Sequence, residues 1–199
     1  MPTNGRSCEA AGRQVGLCSR SNHYSPRKSH EGREVIRIRF VTGNALSSQL
    51  IRMQGGICMP FTPSHTEALS QDAKFYIGAR NDVGISALPI DYDASTLLTL
   101  PDGSKSERIV SLPSTVEQED AFYSFVHSKV GEPYDWNAIV SFAMPGVNLH
   151  EYGHIICSAF MTAALRKCGY FPEPLTVPFH HISPRDLLLI LSSHVQINH

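Results

Sequence analysis

Between residues 61 and 92 three strand-like runs, FTPSHTEALS, AKFYIGAR and VGISALPIDY, follow one another with only Gln71-Asp72 and Asn81-Asp82 between them. Polar connections this short read as hairpin turns, which commits the three runs to antiparallel neighbours. Upstream, REVIRIRFV from Arg33 alternates β-branched and charged residues, the pattern of a strand with one buried face. Downstream of the turn Pro101-Asp102-Gly103, ERIVSLP reads as another strand.

Helical signals flank this block. NALSSQLIRMQGG places Leu46, Leu50, Ile51 and Met53 on one side of a short helix, with Asn44 as cap and Gly55-Gly56 as its end. Ser114-Thr115-Val116-Glu117 fits a capping box for a helix running to about Val130, with Val116, Ala121, Phe122, Phe125, Val126 and Val130 roughly at helical spacing. GEPYDWNAIVSFA reads as a turn and a short helix. CSAFMTAALRKCGY is a helix stopped by Gly169, and Ser183-Pro184 opens a last one. The layout is α+β. Residues 1–32, rich in Gly, Ser, Arg and Asn without apolar periodicity, are expected to form a disordered extension, with 33–199 as a single domain.

Composition narrows the function classes. Lys and Arg total 17 against 18 Asp and Glu, a net charge of −1, which argues against nucleic acid as a partner. No apolar run approaches the roughly 18 residues of a membrane-spanning helix. The first residues lack the apolar stretch of a secretory signal, so the expected location is the cytoplasm. Five cysteines, an odd number with no CxxC pair, indicate neither a disulfide framework nor a zinc knuckle.

Two places carry chemistry. Cys157 opens a predicted helix, where unpaired backbone N–H groups and the positive end of the helix dipole favour a thiolate and can hold an oxyanion. Its plain alternative is an inert packing cysteine, since IICSAF is apolar. His65 lies in a strand with Glu67 two residues on, so both project from one face of the sheet. A carboxylate there can orient an imidazole, point past it toward substrate, or pair with Arg80; the plain alternative is a half-exposed ion pair.

RFVTGNALSSQLIRMQGG, SHTEAL, YIGARNDVGISALPIDYD, GEPYDWNAI, CSAF and SPRDLL occur in an order that resembles the circularly permuted papain-like cysteine amidases. These are the YiiX/YaeF-like relatives of the NlpC cell-wall peptidases and lecithin:retinol acyltransferase. The resemblance covers about Arg33 to Leu188, with the histidine strand before the cysteine helix. It implies a circularly permuted papain-like (NlpC-like) fold in which a small antiparallel sheet packs against helices, with residues 33–199 as the catalytic domain. It implies His65 as general base, Cys157 as nucleophile, and Tyr134 of PYDW as a group polarising the substrate carbonyl. One departure stands out. Relatives often carry a polar third residue on the strand after the histidine strand, and here that stretch is Ile77-Gly78-Ala79. Either Glu67 takes the role, or a Cys–His dyad works alone, or catalysis is lost and the domain is a binding module.

A rival motif lies nearby. His150-Glu151-Tyr152-Gly153-His154 satisfies H-E-x-x-H, the zinc-protease signature. Its extended form would need Gly at position 157 and His at position 160, where the chain has Cys157 and Phe160. Glu173 as a third ligand sits between prolines that forbid the usual helix, and His180 and His181 are undirected substitutes. On the preferred reading His150 and His154 line the approach to Cys157, and no metal is held. Cys58 and Cys168 read as packing residues, Asp91 and Asp93 as turn formers, and Lys28, Arg33, Arg37 and Arg39 as a solvated face.

The expectation is a thiol hydrolase, either an amidase/peptidase or an acyltransferase, working through a thioester. Helix N-terminal amides near Ser158 would hold the oxyanion. Peptides, peptidoglycan fragments and acyl lipids are the implied substrates, and no organic cofactor is implied.

Overall fold

Alternation in VIRIRF puts Ile36, Ile38 and Phe40 on one side of strand β1 (Glu34–Val41), and all three are fully buried. The computed structural model describes residues 34–44, 48, 49, 51, 52, 61–135, 156–171 and 178–194. Among these, β1 joins β2 (His65–Leu69), β3 (Phe75–Arg80), β4 (Gly84–Pro89) and β5 (Glu107–Ser114) in one sheet of order β4-β3-β2-β1-β5. Every neighbouring pair is antiparallel. The fold is α+β, as expected. Both hairpin connections are longer than the dipeptides suggested: Ser70, Ala73, at φ +56°, and Lys74 extend the first, and Val83 the second.

Three helices follow: α1 (Val116–Ser128), α2 (Cys157–Lys167) and α3 (Pro184–His194), with a short 3₁₀ turn (Phe179–His181) before the last. The capping box of α1 lies one residue later than expected. Ser114 is still paired with Glu34 in the ladder, so Thr115 becomes the cap and Gln118, not Glu117, closes the box. Phe122 and Val126 of α1 are buried, whereas Val116 and Val130 are exposed. Gly169, at φ +70°, ends α2, and Ser183 Oγ accepts the Asp186 N–H at the start of α3. Of the helix expected after Asn44, residues 48, 49, 51 and 52 are helical and Ile51 is buried. The extension over residues 1–32 and the helix expected after Tyr134 lie outside the described residues. No helix among the described residues is long and apolar enough to cross a membrane.

Helix α2 lies on the apolar face of β2 and β3 and against α1. Phe160, Met161, Ala164 and Leu165 are fully buried there with Ile36, Ile38 and Ile77. Each large side chain of this layer contributes roughly 1.5–3 kcal/mol by leaving water. At the far edge, Gly84 adopts φ +72°, and a Cβ there would lie 2.4 Å from the Glu132 carbonyl oxygen. That close approach lets Ile85 N–H donate to Glu132 O (2.8 Å) and Gly131 N–H donate to Ile85 O (2.8 Å), which ties the segment leading to Tyr134 onto β4.

The opposite face overturns one expectation. Arg37 is half-buried, donating to the Ser70 and Gln71 carbonyls (3.3 and 3.0 Å), while Arg39 is only 1% exposed. Arg39 Nε donates to Glu107 Oε1 (2.7 Å), Nη1 to Glu67 Oε2 (3.1 Å), and Nη1 and Nη2 to the two Asp93 oxygens (2.9 and 3.0 Å). Its guanidinium lies 4.0 Å from the centre of the Tyr76 ring. A charge is tolerated at this depth because every side of it meets an anion or a π-face. Asp93 does form a turn, accepting the Thr96 and Leu97 N–H groups, but its carboxylate also belongs to this cluster. Lys28 and Arg33 lie outside the described residues.

Removing Arg39 leaves buried carboxylates without their cation, so Arg39→Met is expected to cost about 3–5 kcal/mol. Arg37→Met, losing only bonds to two carbonyls, should cost about 1 kcal/mol. Urea unfolding at neutral pH measures both, and equal midpoints would refute the difference.

Candidate active site

His65 is the first residue of β2, opposite Val41, and Glu67 lies opposite Arg39 on the same face. Residues two apart on a strand stand about 6.5–7 Å apart, so contact requires the longer side chain to turn back. Glu67 does this: its Oε1 lies 3.0 Å from His65 Nε2. Tyr92 O–H donates to the same oxygen, and Arg39 holds Oε2. Arg80, the other partner considered for Glu67, instead pairs with Asp82 (3.1 and 3.2 Å). Burial alone would raise the Glu67 carboxyl, but His65, Tyr92 and Arg39 outweigh it and hold the group at about 2.

Gly78, on β3 beside β2, carries the space for this arrangement. A Cβ built there would stand 2.8 Å from Glu67 Cγ and 3.2 Å from Glu67 Cβ. The glycine that looks like a missing third residue is thus occupied ground.

Cys157 is the first residue of α2 and 2% exposed. Its cap, Ile156, is extended (φ −94°, ψ 161°) and offers no side-chain hydrogen bond, and no acidic residue lies in the first turn. The first intrahelical bond is Phe160 N–H to Ile156 O (2.9 Å), so the amides before it have no intrahelical acceptor. The structure places the Cys157 side chain beside the His65 ring. Burial disfavours the imidazolium, yet Cys157 and Glu67 together overcome it and push His65 up to about 10. With Nε2 engaged by Glu67, Nδ1 is the other ring nitrogen.

Tyr134 is half-buried and packs against Ile156 and Ala159 at the start of α2. Burial, then the neighbouring Cys157 and Asp135, push its phenol well above the ordinary range, so it stays a hydrogen-bond donor. Tyr134, His65, Tyr92 and Arg80 border a cavity of about 150 Å³. Ser158 is fully buried; its carbonyl accepts the Thr162 hydroxyl (2.7 Å), and its own hydroxyl has no hydrogen-bond partner among the described residues. Cys168 is buried in the core, as expected of a packing residue.

His150, Glu151, His154, Glu173 and Cys58 lie outside the described residues, and so does the side chain of His180. Among the described residues no three metal-binding side chains gather into a site. Sequence reasoning missed Arg39, Tyr92, Asp93, Glu107 and the space at Gly78. No local signal marked them, because an arginine in an alternating strand ordinarily faces water.

The sequence matches no protein-family model and no curated protein. Among solved structures, the chain is similar to one described as metalloprotein yiiX from Escherichia coli O157:H7, at 16% identity and a TM-score of 0.47. The similarity covers 69% of this chain and 67% of that one.

The two shifted groups set a stability window. His65, raised from 6.5 to about 10, contributes fully below pH 6.5 and loses its contribution as pH climbs through 10. Glu67, lowered from 4.5 to about 2, contributes fully above pH 4.5 and loses its contribution as pH falls through 2. Urea midpoints should therefore be highest between pH 4.5 and 6.5, and Glu67→Gln should flatten both arms. A wild-type midpoint that climbs from pH 6.5 to 9 would contradict the His65 assignment.

Proposed function

We propose that this chain is a thiol hydrolase, an amidase/peptidase or acyltransferase, on a circularly permuted papain-like fold. The observation that carries the reading is the gathering of Cys157, His65 and Glu67, with the thiol at an uncapped helix start beside the imidazole and the Glu67 carboxylate 3.0 Å from His65 Nε2. The order along the sequence, histidine strand first and cysteine helix second, agrees with the permuted arrangement.

His65 takes the thiol proton, and Cys157 Sγ is the nucleophile. Sγ bonds to the acyl carbon of an amide or ester while the carbonyl π pair moves onto oxygen. The N–H groups at the start of α2 and the Tyr134 hydroxyl donate to that oxyanion. Collapse breaks the C–N or C–O bond, and His65 gives its proton to the leaving group. Water, or an acceptor amine or alcohol in a transferase, then loses a proton to His65 and attacks the thioester, which frees the thiolate. Glu67 holds the ring in place and stabilises its charged form.

The test is a panel of acyl p-nitrophenyl esters, short peptide amides and stem-peptide fragments. Cys157→Ala should abolish turnover and exhaustive chelation should leave it intact, while Glu67→Gln slows it by roughly 10²-fold. Iodoacetamide at pH 6 should label Cys157 ahead of Cys168. Loss of activity on chelation and in Glu151→Gln, with Cys157→Ala active, would replace the thioester with zinc-assisted hydrolysis on HEYGH. A folded wild type that turns over nothing in the panel and alkylates Cys157 no faster than Cys168 would support a non-catalytic binding module.

A further inference from the structure

We propose that Gly78 is a positioning residue of the site: its missing side chain is the space in which Glu67 turns back along its own strand to reach His65. The role deepens the hydrolase reading and rests on it for its catalytic meaning.

The argument begins with geometry. Glu67 must bend toward a residue two positions earlier on the same strand, which an extended side chain does not do without room beside it. The neighbouring strand bounds that room. A Cβ at Gly78 would stand 2.8 Å from Glu67 Cγ, a separation that carbon atoms in contact do not adopt, and 3.4 Å from the Thr66 carbonyl oxygen. The far side of Glu67 is closed as well. Arg39 of β1 holds Oε2 at 3.1 Å and is itself fixed by Asp93 and Glu107, so the carboxylate has little freedom to retreat. A side chain at position 78 therefore has to displace the Glu67 stem, and the Oε1 contact to His65 moves with it.

Backbone demands do not account for the glycine. Gly78 lies inside β3, paired with Ser86, and is not among the glycines with positive φ. In a strand interior glycine is destabilising relative to alanine through its freedom in the unfolded chain. Its value lies in the side chain it makes room for.

The test is Gly78→Ala, read by the titration of the His65 ring protons and by turnover. The groups that bear on the ring are Glu67 on its own strand, Arg39 on β1, Glu107 on β5, Arg80 on β3, Tyr92 and Asp93 after β4, Tyr134, and Cys157 on α2. All remain in the variant. The expected result is a His65 midpoint lowered by more than one pH unit, as in Glu67→Gln, with turnover reduced about 10-fold or more. In Gly78→Ala/Glu67→Ala the alanine at position 78 should add nothing to either readout beyond Glu67→Ala alone, because the contact it disturbs is already lost with the carboxylate and its stem. A His65 midpoint equal to wild type in folded Gly78→Ala would overturn the proposal. If Gly78→Ala does not fold, Gly78→Ala/Glu67→Ala, which removes the obstructing Cγ, must fold; failure of the double variant too would overturn it. The hydrolase reading fails separately. A lowered His65 midpoint alongside an active Cys157→Ala would leave the positioning role standing and remove the thioester mechanism.

Discussion

A guanidinium with almost no access to water sits at the centre of this fold. Arg39 accounts for three carboxylates from three different parts of the chain, Glu67 on β2, Asp93 after β4 and Glu107 on β5, and stacks over Tyr76 of β3. Desolvating such a group is expensive, and its attraction to the surrounding anions must offset the cost. The arrangement ties β1, β2, β3, β5 and the segment after β4 together on the polar face of the sheet. With His65 and Tyr92 it also holds Glu67 ionised at 1% exposure, and Cys157 and the ionised Glu67 together favour the charged form of His65.

The sheet thus divides its labour between faces. One face, through Ile36, Ile38, Phe40 and Ile77, carries the helices and supplies most of the burial that stabilises the chain. The other carries charge, held by hydrogen bonds with little apolar packing. Cys157 arrives on the first layer and the partners of His65 on the second, so the thiol and the imidazole come together where the two meet. Rigid packing positions the thiol; electrostatics position the imidazole.

Much of this was legible in the sequence, for reasons that can be named. Strand alternation put His65 and Glu67 on one face, and the helix start at Cys157 followed from the run CSAFMTAALRK ended by Gly169. The α+β layout followed from short strands joined by turns. Arg39 was not legible. In VIRIRF it occupies the phase that normally faces solvent, and its partners Asp93 and Glu107 lie 54 and 68 residues away. Nor was the meaning of Gly78, because a sequence displays an absent side chain without displaying what fills its place. The capping box slipped by one residue because β5 continues through Ser114, a tertiary pairing that local pattern does not contain.

The edge strands carry a further consequence. Strand β4 lies at one margin of the sheet, where its first residues are already engaged by Gly131 and Glu132 and its last residue, Pro89, has no N–H to offer. Strand β5, at the other margin, contains Pro113. An open β-edge is a template on which a second chain can add a strand, and each of these features removes a donor or acceptor that such an addition needs. The contact that seats Tyr134 beside the thiol therefore also guards one margin of the sheet against self-association.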